Sequence, residues 1–237
     1  SACTSGPVAS TPAPSTSAAS VASTEPTITP EPTAEPTPVV ATPVSKPAPP
    51  PDTRSGKGLD QPYTVDGIVV VSKDHRLSSS YAPAWASKPD GLHPDVSAAF
   101  KQLAAAAKAD GAPVSIRSGY RSYAAQQASF ANAKKQYDDK TARLYFAEAG
   151  ASEHQTGLAL DAWDGRNRGT AFARTKQASW LAAHAHEYGF IVRYPQGKTD
   201  ITGYAWESWH LRWVGTEVSA AFAPDPSLTL EEFLGLA

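Results

Sequence analysis

The 237 residues carry a formal net charge of −2 and one cysteine, and 13 of the 21 prolines fall within the first 51 residues, which hold no aromatic side chain. That charge gives no general attraction to nucleic acid or anionic lipid, and one cysteine excludes a disulfide framework, a zinc finger and an iron–sulfur site. All 22 Phe, Trp and Tyr residues lie in the remaining 186, enough chain for one domain with a substantial core; no apolar run approaches the ~20 residues of a membrane span.

Residues 1–58 read as a tether and 59–237 as the domain it carries. The tether is Ser, Thr, Ala, Pro and Val with scattered Glu, as in Thr24-Glu25-Pro26-Thr27, and Gly56 and Gly58 close it. It has too little apolar surface to offset the entropy of ordering, so it is expected to be disordered and to lean to polyproline II. About 50 residues at ~3.1 Å each would reach at most about 150 Å. Cys3 followed at once by such a stretch resembles a bacterial lipoprotein, where the cysteine after the signal peptide takes the lipid. Ser1-Ala2-Cys3 resembles the end of that cleavage motif, and the lack of any methionine fits a trimmed leader. An incidental thiol on a tail without function is the alternative.

In the domain, the β-branched run Val65–Val71 predicts a strand. Residues 72–94, with Pro83, Pro89, Gly91 and Pro94, predict a long loop. Val96, Phe100, Leu103 and Ala107 recur at helical spacing and predict a helix over Asp95–Ala109. Val114–Arg117 follows as a strand. Helices are expected over Ser122–Tyr137, capped by Ser122, and over Asp139–Ala149. Leu158–Trp163 reads as a strand, Ala171–Tyr188 as a helix stopped by Gly189, and Phe190–Tyr194 and Ala205–Val214 as strands. Thr229-Leu230-Glu231-Glu232 is a capping box opening a last short helix. Strands and helices mix without a βαβ repeat. The class is therefore α+β, with a small antiparallel sheet flanked by helices.

Three segments could carry chemistry. In Gly150-Ala151-Ser152-Glu153-His154-Gln155-Thr156-Gly157-Leu158-Ala159-Leu160-Asp161, an ionised Asp161 on a strand between apolar residues needs a partner. A metal shared with His154 is one such partner, and a plain Asp–His hydrogen bond is another. In Trp206-Glu207-Ser208-Trp209-His210-Leu211-Arg212, His210 offers a third ligand and Glu207 a carboxylate base for a metal-activated water. Alternation would turn Glu207 away from His210, so a bend is expected at Ser208-Trp209, or Glu207 in the loop before the strand. Arg117-Ser118-Gly119-Tyr120-Arg121-Ser122 sets two arginines around a glycine turn at a helix start, a place suited to anions. His184 and His186 point to different faces of a helix and cannot share a metal. His93 and His75 receive no role.

Taken together these segments resemble the VanY-type D-alanyl-D-alanine carboxypeptidases, in the zinc-peptidase superfamily that includes lysostaphin and the hedgehog N-terminal domain. Ser118-Gly119-Tyr120-Arg121-Ser122-Tyr123 with Gln126, His186-Glu187-Tyr188-Gly189-Phe190, Arg193-Tyr194-Pro195 and Thr202-Gly203-Tyr204 match as well, so that the resemblance spans roughly residues 60–223. It implies that the sheet carries a zinc site with His154, Asp161 and His210 as ligands, Glu207 as general base and Arg121 at the oxyanion. Ser118, Gln126 and Ser152 match positions near the bound peptide. The family usually has proline where this chain has Ser208. The implied protein is a monomeric zinc carboxypeptidase that trims D-alanine from peptidoglycan stem peptides, by D,D- or L,D-cleavage. It would not bind nucleic acid, and its lipid on Cys3 would be its only hold on the outer face of the cytoplasmic membrane. The rival class is a zinc-containing wall-binding or signalling domain without catalysis, which has no need of Glu207 and Arg121.

Overall fold

The computed structural model describes residues 48–237; Cys3 and most of the tether lie outside them. The domain's own contacts begin before the boundary expected at Gly58. Tyr63 donates its hydroxyl to the Pro50 carbonyl, and the Asp52 carboxylate takes both Arg54 and the Nδ1 of His75 (2.7 and 3.0 Å). Tyr63 also stacks on His75 with ring centroids 4.2 Å apart. Paired polar groups of this kind anchor residues 50–54, and a 3-10 turn over Gly56–Asp60 replaces the expected end of the tether.

The run Val65–Val71 is not one strand but a hairpin, β1 (Tyr63–Val65) and β2 (Ile68–Val70), paired Val65 to Ile68. Asp66 and Gly67 both take positive φ (51° and 80°), the two-residue turn whose twist suits antiparallel strands. Helix α1 (Pro94–Ala109) is capped by His93, whose side chain accepts from the Asp95 amide at 3.2 Å. Strand β3 is Ser115–Ser118, and α2 (Tyr123–Gln136) starts from Ser122 as expected. Helix α3 stops at Tyr145 rather than Ala149 (Asp139–Tyr145), and β4 is Ala159–Trp163. The helix expected over Ala171–Tyr188 is broken in three: a 3-10 segment Gly169–Arg174, α4 (Lys176–His184) and a 3-10 turn Ala185–Tyr188. Thr175 is the cause. Its backbone is extended and its side chain caps the Ala178 amide, which starts a new helix. Strand β5 (Phe190–Tyr194) follows, then the short helix α5 (Thr199–Thr202), β6 (Glu207–Trp213), α6 (Thr216–Ser219) and α7 (Leu230–Leu234) with its capping box. None of the helices among the described residues is long and apolar enough to cross a membrane.

Four strands form one antiparallel sheet in the order β3-β4-β6-β5. Alternation gives its faces opposite jobs. Leu160, Ala162 and Leu211 point to a core completed by Val96, Phe100 and Leu103 of α1, Leu181 of α4 and Phe172. The residues between them, Asp161 and His210, are directly paired across β4 and β6 and face the other way. A second cluster joins the hairpin to the C-terminal helix through Tyr63, Val65, Val70, Ile191, Phe222, Leu230 and Leu234.

Candidate metal centre and active site

The polar face of the sheet lines a cavity of about 680 Å³. His154 enters it from a 3-10 turn (Glu153–Thr156) that Gly157 ends in the left-handed region (φ 67°). A side chain at Gly157 would also collide with the Trp85 ring and the Gly91 carbonyl. His154 Nε2 lies 3.4 Å from Asp161 Oδ1, and His210 Nδ1 lies 3.3 Å from the same oxygen. The donor atoms of the three residues all fall within 4.8 Å of one another, and the two imidazoles stand edge to face.

The outward nitrogens of both rings are fixed. His154 Nδ1 is 2.6 Å from the Gly119 carbonyl, which can only accept, so Nε2 is left free to bind a metal. Any side chain on Gly119 would strike the Asp90 carbonyl, at 2.6 Å from the added carbon. His210 Nε2 donates to Glu153 Oε2 at 3.2 Å, which turns Nδ1 toward Asp161. Two imidazoles whose outer nitrogens are held and one carboxylate are a donor set that suits zinc, and partners behind the ligands are what orient such sites.

The strand β6 bends as expected. Val192 pairs with Leu211 but Tyr194 pairs with Glu207, so β6 carries extra residues between these points. The bulge brings Glu207 Oε2 to 3.8 Å from His210 Nδ1. Burial pushes the Glu207 carboxyl up to about 7, with the Asp161 carboxylate adding to the rise and His210 and Arg121 pulling back. A carboxyl titrating near neutrality is suited to take up and return a proton. For Asp161, burial acts to raise the pKa, but His154 and His210 hold it well below the usual carboxylate range. Burial lowers the His154 pKa. It acts the same way on His210, yet the bonds to Asp161 and Glu153 raise that ring to about 9. At the position usual for proline, the Ser208 hydroxyl is buried with no hydrogen-bond partner among the described residues.

Arg121 lies just before the α2 cap, and its guanidinium is clamped. Nη1 donates to Gln126 Oε1 (2.9 Å) and Nη2 to Ser118 Oγ (2.7 Å), while Asp161 Oδ2 is 3.8 Å away. Gln126 is itself anchored by its bond to the Ala147 carbonyl. Ser118 therefore meets the site through Arg121 and is not part of the cavity wall, whereas Gln126 and Ser152 are. His184 is half-buried and paired with Glu187, and it does not line this cavity.

Sequence reasoning missed the buried charges behind the candidate metal ligands. Glu153 is fully buried and takes Arg193 Nε and Arg212 Nη1, both at 2.8 Å, as well as His210. Arg193 in turn forks onto Glu231 of α7, at 2.8 and 2.6 Å. Burial alone would raise the Glu153 pKa; Arg193 and Arg212 instead hold it well below the carboxylate range. Tyr194 and Tyr204, also unassigned from sequence, close the cavity beside Glu207, and Tyr194 lies against the His210 ring at 5.0 Å. The shared face of His210 and Arg212 was the available signal for the Glu153 contact.

Glu153→Gln is expected to lower the stability of the metal-free protein by about 3–5 kcal/mol at pH 7, since it breaks a buried charge network. A carboxylate with a depressed folded-state pKa contributes its full stability above its unfolded value and loses it as pH falls toward the folded one. The gap between wild type and variant should therefore shrink below about pH 4.5, with urea denaturation at several pH values as the measurement. A gap that does not change with pH would show that Glu153 carries no charge in the fold.

Residues 89–216 match the VanY family, D-alanyl-D-alanine carboxypeptidase. The chain belongs to this family. Among its relatives, the YodJ protein of Bacillus subtilis (strain 168) is 36% identical over 199 residues, covering 77% of this chain and 72% of that one. The solved LdcB LD-carboxypeptidase, described for its peptidoglycan recognition, is 33% identical with a TM-score of 0.64, covering 75% of this chain and 94% of its own. A vancomycin-resistance D,D-pentapeptidase VanY solved with Zn(II) is 31% identical with a TM-score of 0.61, covering 70% and 97%. A VanY-type enzyme is thus the frame into which the cavity's residues fall. The family match ends before α7, so the Glu231 that grips Arg193 lies beyond it.

Proposed function

We propose that the protein is a zinc-dependent carboxypeptidase that removes the C-terminal D-alanine from peptidoglycan stem peptides. The observation that carries this reading is the cluster of His154, Asp161 and His210 with Glu207 and Arg121 around one cavity. A zinc ion held by His154, Asp161 and His210 would supply Lewis-acid chemistry, polarising the scissile carbonyl and making water a nucleophile near neutral pH. Glu207 takes the proton of the attacking water and returns it to the leaving amine nitrogen. Arg121, immobilised by Gln126 and Ser118, donates to the oxygen on which negative charge develops. Ser152, Tyr194 and Tyr204 form the buried end of the cavity, which suits the small terminal residue. Membership of the VanY family supports D-alanine as that residue. LdcB and the VanY pentapeptidase are named for L,D- and D,D-cleavage respectively, and both bonds fit this machinery.

Metal removal tests the reading. Protein purified without added metal and then titrated with zinc should take up one ion per chain, read by elemental analysis and calorimetry. His210→Ala should abolish tight uptake, because only two of the three donors remain. Undiminished zinc affinity in that variant would place the metal elsewhere.

A further inference from the structure

The cavity is graded in burial, and the gradient orients a substrate. Its inner end is walled by Tyr194 and Tyr204, 5% and 4% exposed, next to Glu207. Its mouth carries Tyr137 and Tyr145, at 47% and 45% the large apolar side chains left exposed among the described residues. An enzyme that removes one terminal residue needs a closed end for that residue and an open end for the chain that precedes it. Arg117 lines the same cavity and is itself exposed.

A bulge in the sheet accounts for its position. Ile116 pairs with Ala162 and Ser118 with Asp161, so Arg117 is an extra residue in β3. In a regular strand Arg117 and Ser118 would point to opposite faces; a bulge of this kind re-aims a side chain. Here Ser118 keeps its place under Arg121 while Arg117 also reaches the cavity. The two arginines differ in occupation. Arg121 is held by Gln126 and Ser118, whereas the Arg117 guanidinium has no hydrogen bond or ion pair among the described residues. A planar fork of donors, unpaired at the mouth of a substrate cavity, matches a carboxylate.

We propose that Arg117 is a specificity residue that binds a free carboxylate on the body of the stem peptide, upstream of the scissile bond. This rests on the carboxypeptidase reading above. Stem peptides offer such a group in two places: on the glutamate that is linked through its side chain, and on the diamino acid when that residue is dicarboxylic. Either can be capped as an amide, which keeps the shape and removes the charge. Arg117 would then sort free-acid stems from amidated ones without touching the bond that is broken.

The test uses the zinc-loaded full chain and three synthetic stem peptides, each made as a tetrapeptide and as a pentapeptide: one with both upstream carboxylates free, one amidated at the glutamate and one amidated at the diamino acid. Wild type should prefer the free acid to one of the amides by about tenfold in kcat/KM, mostly through KM, the scale of one lost charge-assisted contact. The amide that suffers identifies the carboxylate. In Arg117→Gln the free-acid and amidated rates should converge. A preference that persists in the variant, or an equal loss on all three peptides, as expected if Arg117 held the terminal carboxylate, would overturn the assignment. Hydrolysis of all three at one rate by wild type would overturn it too, while leaving the carboxypeptidase reading intact. Hydrolysis of none by wild type would instead overturn that reading, and this inference with it.

Discussion

Glu207→Gln is expected to lower kcat by about 10³-fold, within the range lost when a positioned base is removed, and to leave zinc bound at one ion per chain. The separation follows from geometry. Glu207 sits 3.8 Å from His210 Nδ1 but outside the trio whose donor atoms converge. Gln fills the same volume at the bulge of β6 and can still hydrogen-bond, yet it cannot accept a proton at neutral pH. Its neighbours Tyr194 and Tyr204 are buried and uncharged, with burial pushing both phenols up, so neither stands in as the base. Steady-state kinetics and elemental analysis on one preparation read both quantities. A variant with wild-type turnover would remove Glu207 from the reaction. One that lost its zinc as well as its turnover would make Glu207 a ligand.

Arg121→Lys is expected to lower kcat by about 10²-fold with a much smaller change in KM, the pattern of a contact made in the transition state. The guanidinium spends one arm on Gln126 and another on Ser118, and that clamp fixes its plane against Asp161. A lysine ammonium is a single point of charge and cannot occupy both acceptors in that geometry. Gln126 would keep its bond to the Ala147 carbonyl but lose the partner of its oxygen. A raised KM with unchanged kcat would instead make Arg121 a ground-state grip on the substrate. Measuring the variant on a tetrapeptide and a pentapeptide also separates L,D- from D,D-preference.

Much of the candidate site was legible because the residues that converge in it fall in short segments with local signals. Gly157 marks the turn after His154, alternation sets Asp161 and His210 on a polar face, and the wrong parity of Glu207 pointed to a bend that the β6 bulge supplies. Local signals also predicted the caps at Ser122, Gly189 and Thr229. The failures have two sources. Some local cues were outweighed by others: Asp66-Gly67 is a turn inside a β-branched run, and Thr175 caps a new helix inside a run whose apolar spacing reads as continuous. The remaining features are long-range. Glu153 meets Arg193 and Arg212 from 40 and 59 residues away, and periodicity carries no information on such pairings. Nor could alternation reveal the extra residue in β3 that carries Arg117 into the cavity, because a bulge is a property of two strands in register and not of one.

The central claim is that this cluster is a zinc centre that cleaves one terminal D-alanine. Its most direct test is mass spectrometry of a stem tetrapeptide and a stem pentapeptide incubated with metal-depleted protein, with and without one equivalent of zinc. A single alanine residue should be lost from the C-terminus of at least one peptide, and only when zinc is restored. Intact peptides in the presence of stoichiometrically bound zinc, or the same cleavage in its absence, would contradict it.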